Sequence, residues 1–361
     1  SYSKTIAYAV LLIVSLRGVA DTRRLVKATA LAGFTLAFVS AFVVHVSKDN
    51  GTGTYDANDV GCIVVLTLPL AILVFQTSKG LWRLISLAGL ACIGIVIPMT
   101  ASRGAFVGMI FVGAALLIFL PGVSLMKRVV WLGGVIGIMV AVAPASYWHS
   151  MKNIVTDPKS DYNWDAGQGR KQLAERGIGY MLRYPVFGIG IGNFGRAEID
   201  ETLSDYAAAS LLKHRGYRAS APHNSWVQAG AETGILGLLV WIALVIGSAW
   251  GMVKLRKEMP KSWAKSDNPD QRYMYLATLY VPIAILGFTV CATFVSFAWY
   301  DQSYVLPAIS MGIQKGFAEQ MKLMGRRPVA PASAPAKGPM NLNLRMPGRG
   351  RWVPQRAPKN A

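Results

Sequence analysis

Charge is scarce in this sequence. Only 15% of its 361 residues are Asp, Glu, Lys or Arg, against 53% hydrophobic, and the mean hydropathy is +0.37. A soluble domain of this length needs more charge to cover its surface. Acids are scarcer still, with 18 Asp and Glu against 37 Lys and Arg and a formal net charge of +19. The cysteines Cys62, Cys92 and Cys291 each sit inside an apolar run, which excludes a disulfide framework and a zinc-ligand spacing. No ten-residue alternation suggests a membrane barrel. Asp-x-Asp is absent, and Asp56 and Asp59 are the nearest approach, so a dedicated divalent-metal site has little support. Neither a Gly-x-Ser-x-Gly elbow nor His-Glu-x-x-His occurs. There is no internal repeat and no evident cleavable signal peptide.

What the sequence does have is long apolar runs. Candidate spans are Thr5–Leu16, Leu25–Val46, Val60–Thr77, Leu81–Thr100, Gly104–Leu120, Val129–Tyr147, Ser225–Val253, Met274–Trp299 and Tyr304–Phe317. Several exceed the ~18 apolar residues that mark a transmembrane helix, and a bilayer obliges each span to satisfy its own backbone hydrogen bonds. The expected fold is an all-α polytopic bundle of about nine spans, the first and last short. With Ser1 in place of Met and a short first run, we expect the chain to begin inside a longer protein.

The basic residues set the orientation. Arg17, Arg23, Arg24 and Lys27 separate the first two spans, and Lys79 and Arg83 the third and fourth. Lys127 and Arg128 precede the sixth. Lys254, Arg256, Lys257, Lys261, Lys265 and Arg272 separate the seventh and eighth, and Lys322, Arg326 and Arg327 follow the last. Every second loop is basic and should be cytoplasmic, so the charge reads as positive-inside and not as a nucleic-acid surface. The expected domains are transmembrane helices over 1–147, a large outward loop over 148–224, further spans over 225–320 and a basic tail over 321–361. That tail, rich in Pro, Ala and Arg, reads as disordered and cytoplasmic. The outward loop reads as ordered. Gly169 to Tyr184 suggests one helix, with Leu173, Ile178, Met181 and Leu182 as its apolar positions and a possible place in the membrane interface. Glu198 to His214 suggests another, with Leu203, Tyr206, Ala207, Ser210 and Leu211 on one face.

Polar groups collect on the outward side. Arg103, in Ser102-Arg103-Gly104, is either a bidentate phosphate ligand or an arginine snorkelling to the headgroups. Arg170 opens the first loop helix, and Arg176 and Arg183 follow. Two arginines from different segments make a sensible clamp for a diphosphate, although a solvated basic face is the plain alternative. His223 precedes the seventh span. It is suited either to act as a general base or to hold a hydroxyl, or else to bond loop backbone. Glu232 lies inside that span, where a carboxylate needs a partner or a wet cavity. Gly234 and Gly237 beside it allow close packing. Tyr184 to Phe194 is a glycine-rich turn without the strand or Gly-Lys-Ser of a nucleotide loop, so it should shape the loop floor. His45, His149 and His214 have no motif and read as structural.

Taken together, these segments resemble a known family. His223-Asn224-Ser225-Trp226 followed by Ala231-Glu232-Thr233-Gly234-Ile235-Leu236-Gly237 resembles the signature of the O-antigen ligase and O-antigen polymerase superfamily. Pro185 to Phe194 resembles its P-x-x-G-x-G-x-G-N-F segment, Ser102-Arg103-Gly104 its S-R-G turn, and Arg170 the arginine that opens its loop helix. The resemblance runs from Tyr55 to about Tyr304. It implies a multi-pass protein of the bacterial inner membrane that transfers a glycan from undecaprenyl diphosphate on the periplasmic face. For a ligase the acceptor is lipid A-core; polymerase and protein-glycosylating members use another glycan or a protein. It also implies a metal-independent, inverting reaction with no cofactor and no nucleic-acid partner, among membrane lipids. Arg103 and Arg170 would hold the donor diphosphate and His223 would serve the acceptor hydroxyl. Glu232 would support the site, and Arg176 is a rival to Arg170. A transporter is a more distant alternative. Family members have about a dozen spans, so the missing ones should precede Ser1.

Overall fold

The computed structural model describes residues 2–47, 51–120, 124–143, 147–148, 151–152, 169–204 and 221–326. The tail from 327 onward and most of the segments 149–168 and 205–220 lie outside them. Among the described residues the chain is helical, with no β-strand. The helices are α1 Tyr2–Ser15, α2 Val19–Phe38, α3 Ala57–Thr77, α4 Leu81–Thr100, α5 Arg103–Phe119, α6 Leu125–Val142, α7 Arg170–Arg183, α8 Phe194–Ser204, α9 Ser225–Glu258, α10 Pro269–Cys291 and α11 Gln302–Arg326. Five stretches are long and apolar enough to cross a membrane: Val19–Val43, Ala57–Thr77, Leu81–Thr100, Ser225–Glu258 and Pro269–Cys291; α5 is a shorter apolar helix. The protein is therefore an all-α, polytopic membrane protein.

α3 and α10 form the centre. They pack on each other, and α2, α4, α5 and α9 surround them. The two central helices are buried on nearly all sides, from Val60 to Val74 and from Tyr273 to Cys291. A helix with no lipid-exposed face needs small residues where its neighbours approach, because no solvent drives helices together in a membrane. Gly33 of α2 faces Thr67 of α3, Gly61 of α3 faces Ala105 and Ser102, and Gly108 of α5 faces the Cys291 sulfur. All three cysteines are free thiols.

The basic loops meet at one end. There Arg23 pairs with Asp270 at 2.6 Å, and Arg23, Lys27 and Arg256 lie over the rings of Tyr273, Trp82 and Tyr275. Cations held against aromatic rings at helix ends suit a headgroup boundary. α10 starts at this end and finishes at the other, where the Cys291 thiol donates to the Gly104 carbonyl at 3.7 Å. Arg103, beside Gly104, thus lies at the end opposite the basic loops.

The structure corrects two expected boundaries. The eighth span was expected to run to Trp299, but α10 stops at Cys291. The following backbone is captured by the first turn of α9: Ser225 N–H donates to Ala292 O, its hydroxyl to Val295 O, and Phe297 N–H donates back to that hydroxyl. Gln228 and Trp241 hold both sides of the Ala298 peptide. An apolar run thereby leaves the helix without leaving its polar groups unpaired. The second loop helix begins earlier than expected, at Phe194, and the part of Glu198–His214 beyond Ser204 lies outside the described residues. Of the apolar positions expected on α7, Leu173 is buried, whereas Ile178 and Leu182 are exposed.

Gly33→Ala should destabilise the bundle by about 1–3 kcal/mol, since its new methyl would lie 2.4 Å from the Thr67 hydroxyl oxygen. Gly94→Ala, which meets nothing within 4 Å, should leave the thermal unfolding midpoint in detergent unchanged or slightly raised.

Candidate active site

The corner between α4 and α5 is a tight one. Ala101 takes a left-handed conformation at φ 46°, and the Ser102 hydroxyl caps α5 by accepting from Ala105 N–H at 3.2 Å. This sets Arg103, half-buried, at the first position of α5. Gly61 on the second turn of α3 lies directly against Ser102 and Ala105. Arg103 therefore sits beside the α3 N-terminus, where Asp56 and Asp59 form a reciprocal capping box: Asp59 N–H donates to Asp56 at 2.8 Å and Asp56 N–H to Asp59 at 3.3 Å.

Arg170 is the first residue of α7, half-buried, and its Nε is buried without a hydrogen-bond partner. A buried guanidinium nitrogen left unpaired costs stability unless something else accepts from it. Arg176 differs. It forms a bidentate ion pair with Glu198 of α8, from Nε at 2.8 and 3.1 Å, and the Tyr180 hydroxyl donates to the same carboxylate at 3.0 Å. Glu198 is buried. Arg176 thus ties α7 to α8.

His223 occupies the turn before α9. Its φ is 47°, a left-handed value uncommon for a side-chain-bearing residue. The next residue, Asn224, caps α9 by accepting from Trp226 and Val227 N–H. Burial holds the imidazole below its ordinary pKa, the positive charge of Arg170 lowers it further, and Asp56 opposes both. These influences bring α7's first residue, the entry of α9 and the cap of α3 into one neighbourhood. Asp56 was not a sequence candidate. Its signal was the capping pattern Asp56-x-x-Asp59 before an apolar run, read only as a failed metal motif.

Glu232 lies elsewhere, in a break of α9. Gly234 has φ 74° and ψ −176°, so the helix is interrupted there. The glycine-rich turn fills the break. Ile189 and Gly190 N–H donate to the carbonyls of Ala231 and Glu232, and Ile235 N–H donates to Pro185 O at 2.7 Å. The Glu232 carboxylate accepts from Gly192 N–H and from the Trp299 indole, both at 2.6 Å. A Cβ on Gly188 or on Gly234 would lie 2.5 Å from the opposing backbone. The three-glycine segment is therefore the mate of a broken helix.

Residues 87–242, which carry Arg103, Arg170, Arg176, His223 and Glu232, match the family model described as O-antigen ligase. That match supports a place for this region in the O-antigen ligase and polymerase superfamily. No curated protein matches it. The superfamily is one of glycosyltransferase-type membrane enzymes, which use a lipid-linked glycan donor and an acceptor. The matched region runs from within α4 to within α9, so it contains both the α4–α5 corner and the broken helix.

Two measurements follow from this geometry. Glu232→Ala leaves the Gly192 amide and the half-buried Trp299 indole without their acceptor and should cost about 1–3 kcal/mol in thermal unfolding, whereas Glu232→Gln, which keeps an acceptor oxygen, should cost about half. The second concerns pH. Because folding lowers the His223 pKa, the unfolded chain takes up the proton first, and stability falls as pH drops from the ordinary 6.5 towards the lowered value. Asp56→Asn keeps the capping oxygen but removes the charge that favours the proton. An NMR titration of His223 should therefore shift to lower pH in that variant, and an upward shift would contradict the proximity of the two groups.

Proposed function

We propose that this protein is a ligase-type glycosyltransferase that moves a glycan from undecaprenyl diphosphate to a sugar of lipid A-core. The observation that carries the reading is a half-buried arginine, Arg170, whose Nε has no hydrogen-bond partner, beside a histidine whose pKa is lowered by burial and by that arginine. The positive-inside distribution puts the basic loops in the cytoplasm, so these residues face the periplasm of a bacterial inner membrane.

The chemistry is a single displacement. The acceptor hydroxyl oxygen attacks the anomeric carbon from the face opposite the leaving group. The bond from that carbon to the diphosphate oxygen breaks and its electron pair stays with the diphosphate. Arg103 and Arg170, the first residues of α5 and α7, take the developing charge, and a guanidinium fork suits phosphate oxygens. Neutral His223 accepts the hydroxyl proton, and its lowered pKa keeps it available as a base at neutral pH. Glu232 and Arg176 hold the floor and the helix pair, and neither touches substrate in this scheme. With charge stabilisation supplied by the arginines, the reaction proceeds as a metal-independent inversion.

The test is transfer in vitro from an undecaprenyl-diphosphate glycan to lipid A-core with EDTA present. Wild type should give product, His223→Ala should lose about 10²–10⁴-fold and Arg170→Ala about 10²–10³-fold. A folded wild type that makes no ligated product but lengthens the lipid-linked glycan would replace the ligase by a polymerase of the same superfamily. Product formed equally by wild type and His223→Ala would remove that residue from the mechanism.

A further inference from the structure

The glycine-rich turn and the end of α7 carry an apolar surface that the site does not use. Phe187 is 84% exposed and Leu182 66%, and Ile178, Tyr184 and Val186 are also exposed. On a loop in water such a cluster would be a liability. Its height relative to the bilayer follows from α9. Of that helix, the uncharged stretch between Glu232 and Lys254 runs from Thr233 to Val253. Its helical part beyond the break, from Ile235 to Val253, is about 28 Å long at about 1.5 Å per residue, which fits the ~30 Å hydrocarbon core. Lys254 with Arg256 marks one boundary and Glu232 the other.

The turn is pinned at that second boundary. Ile189 and Gly190 N–H donate to the carbonyls of Ala231 and Glu232, and the Pro185 carbonyl accepts from Ile235 N–H. Directly beyond, α9 exposes Ile235, Leu236, Leu239 and Val240, a face that only lipid chains suit. The exposed residues of the turn are thus continuous with a lipid-facing surface and lie at its edge. The flanking residues agree. Tyr184 is amphipathic, and along the exposed stripe of α7 the charged Lys171 and Glu175 give way to the apolar Ile178 and Leu182 towards the turn, so the apolar end of the stripe is the end next to Phe187.

We propose that Ile178, Leu182, Tyr184, Val186 and Phe187 form an interfacial anchor that inserts into the bilayer leaflet on the side of the candidate active site. The occupant of this surface is lipid. The segment is not a free aqueous loop, and its insertion fixes α7, and with it Arg170, at a set height above the hydrocarbon boundary. The inference rests on exposure and helix geometry and is independent of the transfer reaction.

A nitroxide at position 187 tests it. Phe187→Cys in a Cys92→Ala background, with the buried Cys62 and Cys291 retained, is labelled and reconstituted into phosphatidylcholine–phosphatidylglycerol nanodiscs. Power saturation compares access to oxygen, which partitions into lipid, with access to a water-soluble nickel chelate. Val186→Cys is a second anchor site and Asp200→Cys, exposed on α8, is the aqueous reference. The oxygen-to-nickel ratio should be several-fold higher at 187 and 186 than at 200. Equal ratios would overturn the anchor. An immobilised label reached by neither reagent would mean that protein covers the patch, and would overturn lipid as its occupant.

Discussion

The structure depends on a hydrogen-bond deficit and its repair. A membrane leaves no water to satisfy backbone groups, so a helix broken inside or at the edge of a span must find partners in protein. The break at Gly234 releases the carbonyls of Ala231 and Glu232 and the amide of Ile235. The glycine-rich turn answers all three with its own backbone. Both partners must be glycine at the closest points, Gly188 on one side and Gly234 on the other, because either Cβ would fall on backbone. A carboxylate at the same place, Glu232, then joins a third segment through Trp299. One defect in one helix thus fixes the loop after α7 and the irregular chain after α10.

The candidate site follows from that arrangement. Arg170 and His223 stand on segments whose far ends are tied together at the break, α7 through the turn and the α9 entry through the helix itself. The strained conformations of Ala101 and His223, both left-handed without being glycine, lie at the two corners that present Arg103 and the imidazole. Such strain persists only where surrounding contacts over-determine the backbone. Ser102 and Asn224, each capping the helix that follows, supply those contacts. In the proposed mechanism this rigidity would serve electrostatics, since a charge aimed at a transition state helps only when its place is fixed beforehand.

Sequence reading reached the helices because hydrophobic length and loop charge are strong, local signals. It erred where a nonlocal bond decided the matter. Nothing in Ala292 to Trp299 marks it as non-helical; its conformation is set by Ser225, Gln228 and Trp241, far away in sequence. The same holds for Arg176 and Glu198. Both were visible as charges, but their union depends on how α7 meets α8. Asp56 was passed over because carboxylates were examined for metal spacing, and its influence on His223 comes from folding α3 against the entry of α9. The motifs marked the right segments, while the division of labour among their charges needed coordinates.

That division has a further consequence for how base and charge work together. Arg170 lowers the proton affinity of His223, and Asp56 raises it. If Arg170 holds a diphosphate, the anion cancels much of the guanidinium field at the imidazole. His223 then becomes a stronger base only when donor is bound. In the empty site burial and the Arg170 charge both favour the neutral imidazole. A lone histidine in water has no such link, because screening separates its pKa from a neighbouring ligand. Half-burial is what transmits the change, since charges in a less polar medium feel one another more strongly. In the proposed mechanism the residue that would bind the leaving group and the residue that would take the proton are then coupled through space, without any movement of the chain.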